Sequence, residues 1–407
     1  MEKSKILNTT DYKVYARNID KAEGCFIFDD SGKRYLDMES GVWALPLGHC
    51  DPDINRAMHE QIDIMCHCGY KYGQQISEKC AEKLIDIISF SDGKCVFLSS
   101  GSEAVEYGVQ LAKSVSPRKK IMCLKHQYFS AYGYGSLNHE QDWTLIDWNE
   151  NDNRSVEMYE EQIQNTVDFS EIGVFLFEPG NSGGIVKLPP NNLVAALNRQ
   201  CKKNNIIIVV DEVTTGIGRT GKWFGYMHYS IMPDIVCIGK GLGNGYPVSA
   251  VAMTLDISEK AMTSHFHYAQ SHQNDSLGCR VAYEVICKIE RNHLLNEAEQ
   301  KANHFVRGYR KLNETIPVIS EIRNRGLLFC VEFSSSISAT DMVKIEKELF
   351  RKGFIIAVKP TQRVIRTYCP LTITTTMIDQ FLLELESTLR LLLHDKDYEV
   401  FREDSTH

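Results

Sequence analysis

No early apolar run in this chain of 407 residues is long enough to serve as a signal peptide or a membrane span, and the opening MEKSKILNTTDYKVYARN is polar. That absence predicts a cytoplasmic protein with no membrane partner. Excess positive charge is absent too: 45 Lys and Arg against 53 Asp and Glu leave a net charge of -8, which argues against nucleic acid as a partner. Repeats, low-complexity segments and a Ser/Pro linker are missing, so the chain reads as one continuous unit. Metal-ligand spacing is also missing. Cys66-His67-Cys68 has no second ligand pair of the kind a structural zinc site shows, and no metal is expected. The thirteen cysteines are scattered, odd in number and set in apolar stretches such as IMCLK and IVCIGK, as small hydrophobes of a reducing compartment would be.

What the chain does have centres on Lys240. It ends the run Asp234-Ile235-Val236-Cys237-Ile238-Gly239 and is followed at once by the flexible GLGNGYP. Upstream, Asp211 ends the run Ile206-Ile207-Ile208-Val209-Val210 in the same way. Open parallel sheets put their ligands at the carboxyl ends of strands, so one site can hold both residues. A desolvated lysine with a lowered pKa is the amine that pyridoxal phosphate needs for its Schiff base. A carboxylate beside the pyridine nitrogen keeps that ring protonated, so that it can draw electrons from a substrate carbanion. Alone, a strand-end aspartate is more often a turn former or helix cap; the pairing with Lys240 gives it chemistry.

A phosphate cradle completes the set. Val96-Phe97-Leu98-Ser99 reads as a short buried strand, and Ser100-Gly101-Ser102-Glu103-Ala104 opens a helix with apolar residues at Ala104, Gly108, Leu111 and Val115. Free N–H groups at such a helix start bind a phosphate dianion, and Gly101 lets the backbone come close. The same residues also fit an ordinary capping box. GKGLGNG fits neither the Walker nor the Rossmann glycine spacing, so a nucleotide-binding turn is set aside. A catalytically silent binding protein is disfavoured by the presence of both Lys240 and Asp211.

In order along the chain, SGSEAVE (100–106), FEPGNSGGIVKLPP (177–190), DEVTTGIGRTGKWFGYMHYSIMPDIVCIGKGLGNGYPVSAV (211–251), LGCRVA (277–282), RNRGLLFCVEF (323–333) and VIRTYCPLTIT (364–374) resemble the class III aminotransferases. The likeness begins near YLDMESGVWALPLGHCDPDI (36–54), and its most specific part runs from DEV to KGLGNGYP. It implies an α/β protein of PLP-dependent transferase fold type I, with a large domain built on a mostly parallel sheet and a smaller α/β domain. The boundaries expected are 1–55 for an N-terminal arm and part of the small domain, 56–305 for the large domain and 306–407 for the C-terminal small domain. Parallel-sheet strands are expected in KKIMCLKH, IGVFLFEP, IIIVVDEV, DIVCIGK and SAVAM.

The resemblance also assigns residues. Tyr128 stands where an aromatic stacks on the cofactor ring, although the usual His-Gly after it is Phe129-Ser130 here. Glu178, followed by Pro179, lines the cofactor's oxygen side, and Val213 packs beneath the ring. Thr214 replaces a frequent glutamine whose amide reaches the phenolic oxygen. Ser271, in AQSHQNDS, stands where a threonine reaches the phosphate of the neighbouring subunit, which implies a homodimer with shared active sites. Arg366 matches an arginine that binds a substrate carboxylate with bidentate geometry. The acidic residue that pairs with this arginine in relatives is lacking, because the corresponding segment is GNSGG with Asn181 and Ser182. Trp43 and Tyr72 are candidates for the wall of the substrate pocket.

The implied reaction moves an amino group between an omega- or alpha-amino acid and a 2-oxo acid by a ping-pong mechanism, with Lys240 passing the proton. Racemases or epimerases, aminomutases and a decarboxylating transaminase use the same scaffold and form the alternative.

Overall fold

The structure is a computed structural model that describes residues 5–7, 9, 18–136, 141–180 and 185–404, with side chains described as far as His394. Part of the arm expected at the start therefore lies outside the described residues. Near that start, β1 (Ile19–Glu23), β2 (Phe26–Asp29) and β3 (Arg34–Asp37) form an antiparallel meander. Its second turn is made by Asp29, whose carboxylate accepts the Ser31 and Lys33 N–H groups at 3.0 Å, and by Gly32 at φ 81°.

The central sheet contains β4 (Lys94–Leu98), β5 (Lys120–Leu124), β6 (Trp143–Ile146), β7 (Ile172–Phe177), β8 (Ile207–Asp211), β9 (Ile235–Ile238) and β10 (Ser249–Met253). Their spatial order is β4-β10-β9-β8-β7-β5-β6. β7 and β9 are buried at every position, the pattern of strands covered on both faces. Five of the strands, β9, β8, β7, β5 and β6, pair in parallel.

SAVAM departs from expectation. As β10 it runs antiparallel to both β4 and β9. The physical reason is the short link from Ile238 to Ser249, which contains one 3-10 turn, Lys240–Gly243, and no crossover helix. A parallel return needs a crossover of a dozen residues or more, usually helical.

Helix Gly101–Val115 lies on β8, β9 and β10 through Ala104, Val105, Val109, Leu111 and Ala112. Gly108 makes the close approach possible, since a Cβ there would sit 2.6 Å from the Cys237 sulfur.

The remaining strands are β11 (Ile319–Arg325), β12 (Leu328–Phe333), β13 (Phe354–Ile355), β14 (Ala357–Lys359) and β15 (Val364–Thr367). β13 pairs in parallel with β3, which ties the first residues of the chain to the last hundred. The other four form an antiparallel sheet in the order β11-β12-β15-β14. A helix from Thr375 to Asp404 follows. Among the described residues no helix is long and apolar enough to cross a membrane.

Candidate active site

Parallel pairing sets Asp211 of β8 opposite Cys237 of β9, so both strands open at the same edge of the sheet. Asp211 is 3% exposed. Its carboxylate accepts the Val213 N–H at 2.9 Å, the only hydrogen bond made to it among the described residues. Burial, and then the Glu178 carboxylate, push its pKa well above the ordinary range, with Lys240 opposing. A buried carboxylate with one backbone donor is costly until a cation or a further donor joins it.

Two residues beyond β9, Lys240 adopts φ 40°, in the left-handed region that costs an ordinary residue about 1–2 kcal/mol. Its Nζ donates to the Thr214 hydroxyl at 2.8 Å. Desolvation lowers its pKa, while Asp211 and Glu178 work against that fall. The result is an amine poised nearer to its neutral, nucleophilic form than a surface lysine.

The helix start lies alongside. Ser100 Oγ accepts the Glu103 N–H at 3.2 Å, and Glu103 Oε2 accepts the Ser99 N–H at 2.9 Å. Capping therefore takes place, and the N–H groups of Gly101 and Ser102 are left without an acceptor among the described residues. A Cβ on Gly101 would stand 2.5 Å from Val213 Cγ1, and one on Gly239 would stand 3.0 Å from the Gly101 Cα. These contacts bring the cradle, Val213 and the Lys240 turn together.

Tyr128 follows β5 in a loop held from beneath. The buried Glu106 carboxylate accepts the Ser130 hydroxyl at 3.0 Å and the Tyr134 and Gly135 N–H groups at 2.8 Å. Ser102 Oγ accepts the Ala131 N–H at 3.0 Å. The Tyr128 N–H reaches Glu178 Oε2 at 3.4 Å, and the tyrosine itself is half exposed.

At the other end is a turn of unusual hand. Ser40, Gly41, Val42 and Trp43 have φ of 46°, 58°, 59° and 71°. Asp37 accepts the Glu39 and Gly41 N–H groups at 3.0 and 2.8 Å. The Ser40 hydroxyl donates to the Tyr368 carbonyl at 2.6 Å and accepts from Arg219 Nη2 at 3.1 Å. Arg219 also donates to the Cys369 carbonyl, and burial lowers its pKa to about 10.

Trp43, so anchored, links two cations. Lys240 Nζ lies 5.0 Å from its ring centroid and Arg366 Cζ lies 5.2 Å away. The Tyr368 ring packs edge-on at 4.7 Å. Arg366 projects from β15 and is only 2% exposed. The indole N–H of Trp43 is buried without an acceptor among the described residues.

Lys240, Asp211, Val213, Thr214, Glu178, Tyr128, the 100–102 turn, Trp43 and Arg366 are thus linked by contacts or charge. Tyr72 is 70% exposed, with no hydrogen bond or ring contact to this group among the described residues. Ser271 is exposed, on a loop whose Asn274 exchanges hydrogen bonds with Phe97 of β4. Asn181 and Ser182 lie outside the described residues.

Sequence reasoning passed over Arg219, Glu106 and the reversed turn. It also passed over Glu212, which accepts the Thr215 hydroxyl at 2.7 Å and the Gly225 and Tyr226 N–H groups at 2.8 and 2.6 Å. Burial raises the Glu212 pKa to about 7. Arg219 and both glutamates stand inside SGSEAVE or DEVTTGIGRTG, so their position in those stretches was the available signal.

Residues 8–132 and 124–389 match the model of the family described as aminotransferase class-III. The acetylornithine aminotransferase of Caldanaerobacter subterraneus subsp. tengcongensis is 30% identical over 402 residues, covering 95% of this chain and 98% of that protein. The structure of acetylornithine aminotransferase from Elizabethkingia anophelis aligns with a TM-score of 0.80 at 26% identity, over 93% of this chain and 95% of that one. An amine transaminase from an uncultivated Pseudomonas species, solved with pyridoxal phosphate bound, gives a TM-score of 0.86 at 22% identity over 96% and 99%.

Proposed function

The chain belongs to the class-III aminotransferase family, and from that premise we propose which residues carry the transfer and which select the substrate. It is an α/β enzyme of fold type I that uses pyridoxal phosphate to move an amino group between an amino acid and a 2-oxo acid.

The donor set fits that cofactor. Two N–H groups at a helix start, unclaimed among the described residues, suit a phosphate dianion, a buried carboxylate with one donor among those residues suits a ring cation, and a desolvated lysine suits an aldehyde carbon. When bound, pyridoxal phosphate supplies the carbon that accepts the amino group and a ring that delocalises the electron pair left on the substrate.

Ser100, Gly101 and Ser102 receive the phosphate. Asp211 keeps the ring nitrogen protonated, an exchange that also relieves its own burial. Val213 would support one face of the ring and Tyr128 the other, with Glu178 on the oxygen side. Thr214 holds the Lys240 amine by the bond of 2.8 Å and is short enough to leave the phenolic oxygen to water. Lys240 anchors the cofactor and, once released, takes the proton from the amine-bearing carbon and returns it as an acid.

Arg366 takes the carboxylate, with Trp43 as the wall between it and Lys240. The observation that carries this reading is that both cations approach the same indole, at 5.0 and 5.2 Å. A substrate bridging them presents a carboxylate at one end and its reacting carbon at the other. Acetylornithine aminotransferases are among the relatives, which favours an omega-amino acid that bears a carboxylate as donor and a 2-oxo acid as acceptor.

Two copies, each lending Ser271 to the other's phosphate, make the working cytoplasmic unit, with domain boundaries near 55 and 305. Single-turnover half-reactions with N-acetylornithine, ornithine, 4-aminobutyrate and a simple alkyl amine test the proposal. Conversion by the carboxylated donors, reversed by a 2-oxo acid, is expected. Equal rates with the alkyl amine overturn the Arg366 role, and repeated turnover of a donor without any oxo acid overturns transamination.

A further inference from the structure

We propose that His67, His272 and Asp275 form a binding site for a late first-row divalent cation such as zinc, apart from this chain's own Lys240 centre, although His272 adjoins Ser271, the residue assigned above to the neighbouring subunit's phosphate. His67 lies in the segment after helix Pro52–Ile64, whereas His272 and Asp275 precede helix Ser276–Arg291.

Both imidazoles address one carboxylate oxygen: the Nδ1 atoms of His67 and His272 stand 2.9 and 3.6 Å from Asp275 Oδ1. The ligand atoms of all three residues lie within 4.8 Å of one another, and the rings face each other at 4.3 Å with a tilt of 37°. An ion bound tetrahedrally at about 2.0–2.2 Å from nitrogen and oxygen holds its donors roughly 3.3–3.5 Å apart, so small side-chain shifts suffice. Two neutral imidazoles and a carboxylate suit zinc, cobalt or nickel better than magnesium or calcium.

Asp275 is oriented before any ion arrives. Its Oδ2 accepts the Gly278 N–H at 3.1 Å as a helix cap, which leaves Oδ1 turned toward the histidines, the kind of outer contact that tunes a metal ligand. The side chains of His67, His272 and Asp275 are 33%, 61% and 13% exposed, so a fourth position is open to water or another ligand. Cys66-His67-Cys68 therefore gains ligands from a distant part of the chain rather than from a second local pair. The neighbouring thiols are a competing possibility. Cys66 is exposed, and Cys68 Sγ accepts from Gln74 Nε2 at 2.9 Å.

The test is titration of chelator-treated holoenzyme with Co²⁺, followed by its visible d–d bands and by calorimetry, with Zn²⁺ as competitor. One equivalent per chain is expected. Its affinity should fall at least about tenfold in His67→Gln, His272→Gln and Asp275→Asn, the last of which keeps a good helix cap. The Cys66→Ser/Cys68→Ser variant should bind as the parent does. Absence of saturable binding, indifference to the histidine changes, or a thiolate-to-cobalt charge-transfer band that disappears in the double serine variant each overturns the proposal.

Discussion

The two ends of the active site are built in opposite ways. At one end Asp211 and Lys240 leave neighbouring parallel strands at the same edge of a buried sheet, and only Lys240 departs from ordinary backbone geometry. At the other, Trp43 rides on four consecutive left-handed residues, and Arg366 is a guanidinium sealed into a separate sheet. The first end needs fixed chemistry, and regular structure provides the position. The second recognises a substrate, and there the fold accepts a buried charge at Arg366 and strain in a turn held by Asp37, Ser40 and Arg219. Substitutions at the first end should therefore remove catalysis, whereas those at the second should shift affinity and stability.

The largest effect is expected for Lys240→Ala. Turnover should fall by at least about 10⁴-fold, the scale of a lost general base, while the fold survives. Borohydride reduction of the parent enzyme followed by peptide mapping should place the cofactor on Lys240, and a label on another lysine would refute the assignment.

Asp211→Asn comes next, with a loss of about 10²–10³ in kcat and a smaller loss of cofactor binding. It also makes a pH prediction. The folded pKa of Asp211 is raised, so without cofactor its contribution to stability is full below the unfolded carboxylate value and is lost as pH rises through the folded one. Cofactor-free Asp211→Asn should lack that loss when melting is followed against pH. Near-normal turnover, or an unchanged pH slope, would show that Asp211 does not play this part.

Much of the first end could be read from residues alone. Apolar runs ending in Asp211 and Lys240 announce strand ends, and a strand-end ligand site follows from parallel topology. The direction of β10 was not legible in the same way, because SAVAM has the composition of a buried strand in either direction; only the missing crossover helix decides. The second end was legible only as family-like stretches. Nothing in SGVW itself signals a left-handed turn, since only Gly41 among its residues favours that hand, and the contacts that hold it come from Asp37 just upstream and from Tyr368 and Arg219, far away in sequence. His67 and His272 were hidden for the same reason, since a ligand set assembled across 200 residues leaves no spacing to read.

Arg366→Lys tests the second end at intermediate scale. The charge remains but the planar fork is lost, so KM for carboxylate substrates should rise about tenfold or more, roughly 1.4 kcal/mol. A simple alkyl amine should be nearly indifferent. If 2-oxo acid kinetics stay unchanged, the carboxylate contact must be sought elsewhere.

The smallest effect is the sharpest test of strain. Val42 has φ 59° and ψ 48° with a side chain that is 64% exposed, so it contributes little packing while holding a β-branched residue in the left-handed region. Replacing an exposed valine by glycine ordinarily destabilises, because the unfolded chain gains freedom. Here the relief of about 1–2 kcal/mol from the backbone should exceed that entropy of about 0.4–1 kcal/mol, so Val42→Gly should raise the melting temperature slightly. The same change frees the segment that carries Trp43. KM for carboxylate substrates should then rise while single-turnover proton transfer at Lys240 is kept, since Lys240 lies two residues beyond β9 and Asn244 ties its turn to Leu47 and Gly48, beyond the four left-handed residues. A lower melting temperature would mean that the turn is not strained at Val42. A higher one with unchanged KM would mean that Asp37, Ser40 and Arg219 position the indole without help from the stiffness of the turn.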